Sequence, residues 1–189
     1  MNVVSSDHEG RVANLFVRTS RRQTARLVLR PVGQLDLAAL TAHFAMPELV
    51  AHRPDPRPDA PDVIATQLAE DIEHWKRGGF GRWAIEAGGK IIGFGDLKSK
   101  SGFDGLNISF HLHPDCWRQG FASEFVHEAL KVGFGELVAE RVIGLVRPAN
   151  PASRRVLEKC GLTFERSVQL FGAPTNLLVK WVEHGQTPG

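Results

Sequence analysis

The sequence predicts an α/β (α+β) fold in which a central, mixed and mostly antiparallel twisted sheet is flanked by helices. Three observations lead there. Short apolar runs with a period of two recur along the chain, and segments with a helical period of 3.6 lie between them. Three successive strands in the first half have no helix between them, so they must pair antiparallel. Helical segments separate the later strands, which places helices on the sheet faces. At 189 residues the chain is long enough for one well-buried core.

The elements follow in order. Residues 1–20 are polar and lack periodicity, so they read as a flexible tail, and residues 21–189 read as a single domain. The basic run around Arg18, Arg21 and Arg22 reads as solvated charge. Ala25 to Arg30 alternates as a strand closed by Pro31. Leu35 to Phe44 predicts a helix with Leu37, Leu40 and Phe44 turned inward. Arg53-Pro-Asp-Pro-Arg-Pro-Asp-Ala-Pro61 cannot continue a helix and is expected to be an extended loop within the domain. Asp62 stands where it can cap a helix from Val63 to Arg77, whose apolar positions are Ile64, Leu68, Ile72 and Trp75. Trp75 and Trp83 are expected in the core.

Arg82 to Ala87 and Lys90 to Leu97 read as strands joined by a Gly88-Gly89 hairpin turn. Leu106 to Leu112 is a further strand, followed by a helix from Gln119 to about Phe134 and a strand from Arg141 to Val146. Asn150-Pro151 has the form of an N-cap followed by proline at the first helical position, and Cys160-Gly161 that of a helix stop. Leu162 to Leu170 and Asn176 to Val182 form a final antiparallel pair around a Phe171-Gly-Ala-Pro-Thr175 turn.

Composition excludes several classes of function. A formal net charge of +2 carries no polyanion signal, so neither a nucleic acid nor a membrane partner is expected. No apolar run is long enough to span a bilayer or act as a signal peptide. Cys116 and Cys160 show neither metal spacing nor a disulfide framework, and His111-x-His113 lacks a third ligand, so no metal site is expected. These features predict a cytoplasmic protein with reduced thiols. Monomer and homodimer both remain open, since exposed strand edges permit a dimer.

The most informative stretch runs from Leu106 to Leu130. An alternating strand enters the polar loop His113-Pro-Asp-Cys-Trp-Arg-Gln-Gly-Phe-Ala122, from which an amphipathic helix departs. A helix N-terminus reached through small residues leaves backbone N–H groups unpaired at the positive end of the helix dipole, a place suited to phosphate. The loop therefore predicts a phosphorylated cofactor.

Together with Arg147-Pro-Ala-Asn150-Pro-Ala-Ser153-Arg-Arg-Val-Leu-Glu-Lys-Cys-Gly161-Leu-Thr-Phe164, this loop resembles the GNAT superfamily of N-acetyltransferases. Within it the chain is similar to the branch containing the ribosomal-protein N-terminal (alanine/serine) acetyltransferases, over roughly residues 25 to 183. The resemblance implies acetyl-CoA as donor and an amine-bearing acceptor, either a protein N-terminus or a small molecule. It places the backbone of Arg118, Gln119, Gly120, Phe121 and Ala122 around the pyrophosphate, with Ser123 close by. The strand backbone from Phe110 to Leu112 would pair with the pantetheine arm. Asn150 and Ser153 match positions near the pantetheine and its sulfur, and Arg118 and Arg154 are phosphate partners.

Two departures bear on catalysis. Many members of that branch place a glutamate base at the start of the strand entering the loop. This chain has Asn107 there, and an amide takes no proton at physiological pH. The chain also has no tyrosine to protonate the leaving thiolate; the resemblance to the ribosomal-protein branch, where the Asn-x-x-Ser serine serves the thiolate, implies Ser153 as a hydrogen-bond donor to the departing sulfur. On a pleated strand Asn107, Ser109 and His111 share one face. An imidazole at His111 has a suitable ordinary pKa for a base, although it lies ~13 Å along the strand from residue 107. Backbone N–H groups near His111 and Leu112 are oxyanion candidates. The segment from His43 to Arg57 and the turn at Phe171 are where the family builds its acceptor wall, and His52, Arg53 and Arg57 would make that wall basic. Cys116 is a candidate for thiol labelling but has no catalytic role. A non-catalytic acyl-CoA-binding sensor that has lost its base is the alternative reading. A dinucleotide-binding protein fits less well, because Gly-x-Gly-x-x-Gly is missing.

Overall fold

The structure, a computed structural model, describes residues 21–183, so the tail expected over residues 1–20 lies outside the described residues. A single eight-stranded sheet runs through it, with strand order β1-β2-β3-β4-β5-β6-β8-β7. The strands are β1 (Arg22–Gln23), β2 (Val28–Pro31), β3 (Arg82–Ala87), β4 (Lys90–Lys100), β5 (Phe103–Leu112), β6 (Arg141–Val146), β7 (Thr163–Leu170) and β8 (Ala173–Trp181). The helices are α1 (Leu37–Phe44), α2 (Pro47–Val50), α3 (Pro61–Gly78), α4 (Phe121–Lys131) and α5 (Pro151–Lys159). Every neighbouring pair is antiparallel except β5 and β6, which α4 connects as a crossover.

Side-chain alternation puts different chemistry on the two faces of the sheet. On the α4 side, Phe125 lies directly on Gly95, where a Cβ would come within 2.4 Å of its ring, so only glycine admits that close approach. Phe110 and Trp83 meet the same ring, with centroids 6.4 and 6.2 Å away. On the other side Asp96 and Lys98 of β4 face α3. There Asp71 is paired with Lys98, and Arg82 reaches both Asp71 and Asp96. Asn107 and Ser109 stand opposite Lys98 and Asp96, so the polar stripe on β5 continues this ion-pair ladder.

Several expected elements shift in detail. The first long strand starts at Val28 rather than Ala25, because the Thr24 hydroxyl and backbone close a turn with Leu27. A 3-10 turn over Gln34–Asp36 precedes α1, and Leu35 projects into solvent. Asp62 does not cap α3. The cap position is Ala60, with Pro61 in the first turn, and Asp62 complements the helix dipole from inside that turn. The helix predicted over residues 119–134 is helical from Phe121 to Lys131 and then widens into a π-turn over Val132–Glu136. The β7–β8 turn is only Phe171-Gly172, both at positive φ, so Ala173 already lies in the strand. The short helix α2 was not anticipated. Trp75 and Trp83 are core residues, 5% and 0% exposed and edge-to-face with each other. No described helix is long and apolar enough to cross a membrane.

Candidate active site

Strand splay creates the cleft. β5 pairs with β6 only at Leu106↔Val142 and Asn107↔Ile143. Beyond that rung β5 stays with β4 as far as Gly93↔Leu112, while β6 stays with β8 as far as Val146↔Asn176. The two strands part like a V, and residues 108 to 112 lose their neighbour on the β6 side. His113 N–H donates to Ile92 O at 2.7 Å, so by antiparallel alternation His113 and His111 are the hydrogen-bonded partners of β4. The amides of Phe110 and Leu112 therefore face the opening. Of the two oxyanion candidates, only Leu112 has its N–H on the cleft side.

The loop into α4 carries a row of free donors. Among the described residues, the backbone N–H groups of residues 118 to 123 have no acceptor, and α4 has no side-chain cap. Arg118 and Gly120 both adopt the left-handed conformation, with φ of 61° and 83°. Such a sequence folds successive amides into a concave nest for an anion. The cradle is braced from outside. Arg26 donates to the Gln119 carbonyl at 2.8 Å and to Glu124, and its guanidinium lies 4.5 Å from the centre of the Phe121 ring. Arg26 offsets the charge of Glu124, the acid that would otherwise repel a phosphate there, and the Thr24 hydroxyl donates to the same carboxylate.

A cavity of about 640 Å³ runs from this nest along the splayed strand to α5. Phe110, His111, Leu112, Arg118, Gly120, Phe121, Ala122, Ser123, Asn150 and Ser153 all line it. Gln119 does not. Its side chain turns back to the Asp115 carbonyl. Arg154 is the clearest misplacement among the expected phosphate partners. It pairs with Glu158 and stacks toward Phe164, away from the cleft. The lining cations on α5 are instead Arg155 and Lys159. Helical phase explains this, because Ala152, Arg155, Val156 and Lys159 share one face. Asn150 caps α5, its Oδ1 accepting from Ser153 N–H at 3.1 Å. The Ser153 hydroxyl has no partner among the described residues and borders the cavity.

A second cavity, about 860 Å³, adjoins the first, and His52, Phe110, His111, Asn150 and Ser153 line both. Its far wall is Arg53 to Ala60, with Arg82, Arg147 and Phe171 also bordering it. Two of the three expected basic residues are already satisfied there. Arg53 pairs with Asp59 at 2.9 Å and Arg57 with Asp55 at 2.7 Å. Sequence reasoning assigned no role to Arg82, at the start of β3, or to Arg147, which follows β6 and opens the Asn150-to-Ser153 motif.

His111 does not keep the ordinary basicity expected of it. Burial, then the charges of Arg82, His43, Arg53 and His52, push its pKa down to about 3. His43, whose Nε2 lies 3.1 Å from the His111 carbonyl oxygen, is pushed down by burial to about 4. Burial, Arg53 and Arg147 lower His52 as well. All three imidazoles are neutral at physiological pH, and His111 is a feeble base. Asn107 sits on the last paired rung and lines neither cavity, with its Oδ1 buried and unbonded. Cys116 lines the first cavity, but burial and Asp115 raise its thiol pKa and make it less nucleophilic. Among the described residues no group of His, Cys, Asp or Glu is arranged to hold a metal ion.

A strand splay beside an amide nest at a crossover helix makes a cleft suited to a phosphorylated cofactor, and comparison with known proteins supplies the family. The acetyltransferase (GNAT) domain family matches residues 26–163. The uncharacterized N-acetyltransferase YoaA of Bacillus subtilis is 32% identical over 152 residues, covering 76% of this chain and 82% of its own. The FsC-acetyl coenzyme A-N(2)-transacetylase of Aspergillus fumigatus is 36% identical over 93 residues, 45% of this chain and 40% of its own. Among solved structures, an acetyltransferase from Agrobacterium tumefaciens superposes with a TM-score of 0.74 at 23% identity, over 85% of this chain and 93% of that one. The ribosomal-protein-S5-alanine acetyltransferase of Vibrio fischeri gives 0.70 at 16% identity, over 88% and 99%. The chain belongs to the GNAT family of N-acetyltransferases.

Proposed function

We propose that the protein transfers the acetyl group of acetyl-CoA to a primary amine, on a protein N-terminus or a small molecule, by direct attack in a ternary complex. One observation carries this reading: two cavities meet at Phe110, His111, Asn150 and Ser153, where β5 and β6 part. The first has the chemistry for a coenzyme A chain. The amides of residues 118 to 122 suit its diphosphate, with Ser123 beside them and Arg155 and Lys159 adding charge, and the free backbone edge at Phe110 and Leu112 suits its pantetheine amides. The second cavity receives the acceptor.

Bound there, the thioester supplies an activated carbonyl, and the protein's residues do the rest. In this reading the Leu112 amide donates to the carbonyl oxygen as charge builds on it. The Ser153 hydroxyl donates to the departing sulfur. The N–C bond forms as the C–S bond breaks, and the proton lost by the amine balances the thiolate. Of the imidazoles at the junction His111 is a feeble base and His52 is shifted in the same direction, which favours an amine that arrives neutral. This favours α-amines near pKa ~8 over lysine amines near ~10.4.

The buried, unbonded Asn107 amide favours the second reading, a non-catalytic acyl-CoA sensor. Mixing the protein with acetyl-CoA and a broad amine panel, and following free-thiol release, decides between them. Acceptor-dependent thiol release establishes transfer. Tight cofactor binding by calorimetry with no release on any amine establishes the sensor.

A further inference from the structure

Charge in the acceptor cavity is unevenly satisfied. Arg53 and Arg57 each hold an aspartate, and Arg82 lies between Asp71 and Asp96. Arg147 differs. One nitrogen, Nη1, donates to the carbonyls of Ala173 and Pro174 at 2.8 and 3.3 Å and to the Thr175 hydroxyl at 2.7 Å. Those three oxygens fix the guanidinium beside the turn of the β7–β8 hairpin, on a threonine that is 1% exposed. They carry no formal charge. Among the described residues no carboxylate pairs with Arg147, and its Nε and Nη2 have no acceptor.

Arg147 borders the second cavity and not the first, so it is no partner for the coenzyme diphosphate. It lies just upstream of Asn150 and Ser153 and therefore flanks the junction. Its charge is felt locally, since it helps lower the pKa of His52, which lines both cavities. A guanidinium with one edge anchored and the other open is a bidentate receptor for a planar oxyanion.

We infer that the acceptor is an amine that also bears a carboxylate, seated on the Nε/Nη2 edge of Arg147; this rests on the acetyl-transfer reading above. A carboxylate matches the single unbalanced charge, whereas a phosphate dianion would leave one charge uncompensated. A polyamine offers that edge nothing and meets only repulsion. Both a free amino acid and a peptide with an acidic side chain beside its N-terminus supply this chemistry.

The test compares kcat/KM for matched acceptors with the full-length protein and its R147Q and R147K variants. The pairs are amino acids against their primary amides, and short peptides with Asp or Glu at the second position against Asn or Gln. An amino-acid amide has the less basic amine, so without an anion subsite it is the faster acceptor. The inference expects the acid to win by about tenfold or more, and R147Q to collapse that preference through the acceptor KM. R147K should fall between, because it keeps the charge and loses the fork. Which pair shows the larger preference distinguishes a free amino acid from a peptide N-terminus. Amide turnover equal to or faster than acid turnover in the parent protein overturns the inference alone, and so does an acid preference unchanged in folded R147Q. If R147Q does not fold, the parent's acid-to-amide ratio decides. Acetyl-CoA binding without turnover of any amine overturns the transfer reading, and the inference with it.

Discussion

Gly120 allows anion binding to be separated from backbone strain. Its φ of 83° is a conformation that side chains resist, so any substitution costs on the order of 1 kcal/mol of stability. A Cβ there would come 3.3 Å from Arg26 Nη2, the flexible end of a side chain, which can yield. Gly120→Ala therefore carries the strain alone, whereas Gly120→Glu adds a carboxylate at the mouth of the nest. At roughly 6 Å and an effective dielectric near ~40, each negative charge on the diphosphate repels it by about 1.4 kcal/mol. Two charges correspond to a loss of on the order of a hundredfold in affinity, and Arg26 can offset part of that. Calorimetry with acetyl-CoA should show Gly120→Glu binding about tenfold to a hundredfold more weakly than Gly120→Ala, with the gap narrowing in high salt. Equal affinities for the two variants would refute an anion in this loop, because they share the strain and differ only in charge and bulk.

Other outcomes follow from the same geometry. Ser153→Ala should lower kcat by about tenfold, the worth of one hydrogen bond to a charged atom, with a smaller effect on the acetyl-CoA KM; an unchanged kcat removes Ser153 from thiolate departure. His43 and His111 have folded pKa values depressed to about 4 and about 3, below the ordinary ~6.5 of the unfolded chain. Their contribution to stability is thus complete above ~6.5 and is lost as pH falls from there toward the folded values, because the unfolded chain takes up protons first. The melting temperature should drop between pH 7 and 5, and His111→Gln should flatten that drop; an unaltered slope would mean His111 keeps its ordinary pKa in the folded protein. The pH profile of kcat/KM should rise once, following the acceptor amine, with no limb that disappears in His111→Gln. Loss of an ionisation in that variant would restore His111 as the base.

What could be read from the sequence was local chemistry. Asn150 caps α5 and Pro151 follows it because both preferences are set within one turn, and Gly161 ends the helix at a φ of 90° for the same reason. The Gly88-Gly89 hairpin and the loop into α4 were equally self-contained. Features decided by distant partners were hidden. Arg53 and Arg57 looked like the acceptor's cations, but each is satisfied by an aspartate within six residues, while the unbalanced charge belongs to Arg147. Arg154 and Arg155 differ only in helical phase, and that one-residue step puts Arg155 rather than Arg154 on the cavity face. The helix α2 had a start signal in Pro47, yet four residues are too few to show a period.

Burial is the first cause of the depressed histidine pKa values, and positive charge gathered around His111 adds to it. Arg82 arrives from β3, Arg53 and His52 from the segment after α2, and His43 from α1, all converging on the strand face that carries His111. Asp71 and Asp96 lie behind Arg82, on the side away from the opening, so their charge steadies the arginine more than it cancels its field at the junction. Burial and nearby positive charge make an imidazole reluctant to accept a proton, and both act in the same direction on an ammonium entering the same space, driving that amine toward its neutral, nucleophilic form. A glutamate at position 107 would achieve the same end by taking the proton through solvent, and in this chain the buried Asn107 cannot. In the transfer reading proposed above, desolvation and the guanidinium charge at the junction stand in for the absent carboxylate, provided that something anionic on the acceptor repays the cost of bringing a cation into that space. The open edge of Arg147 is where that repayment fits.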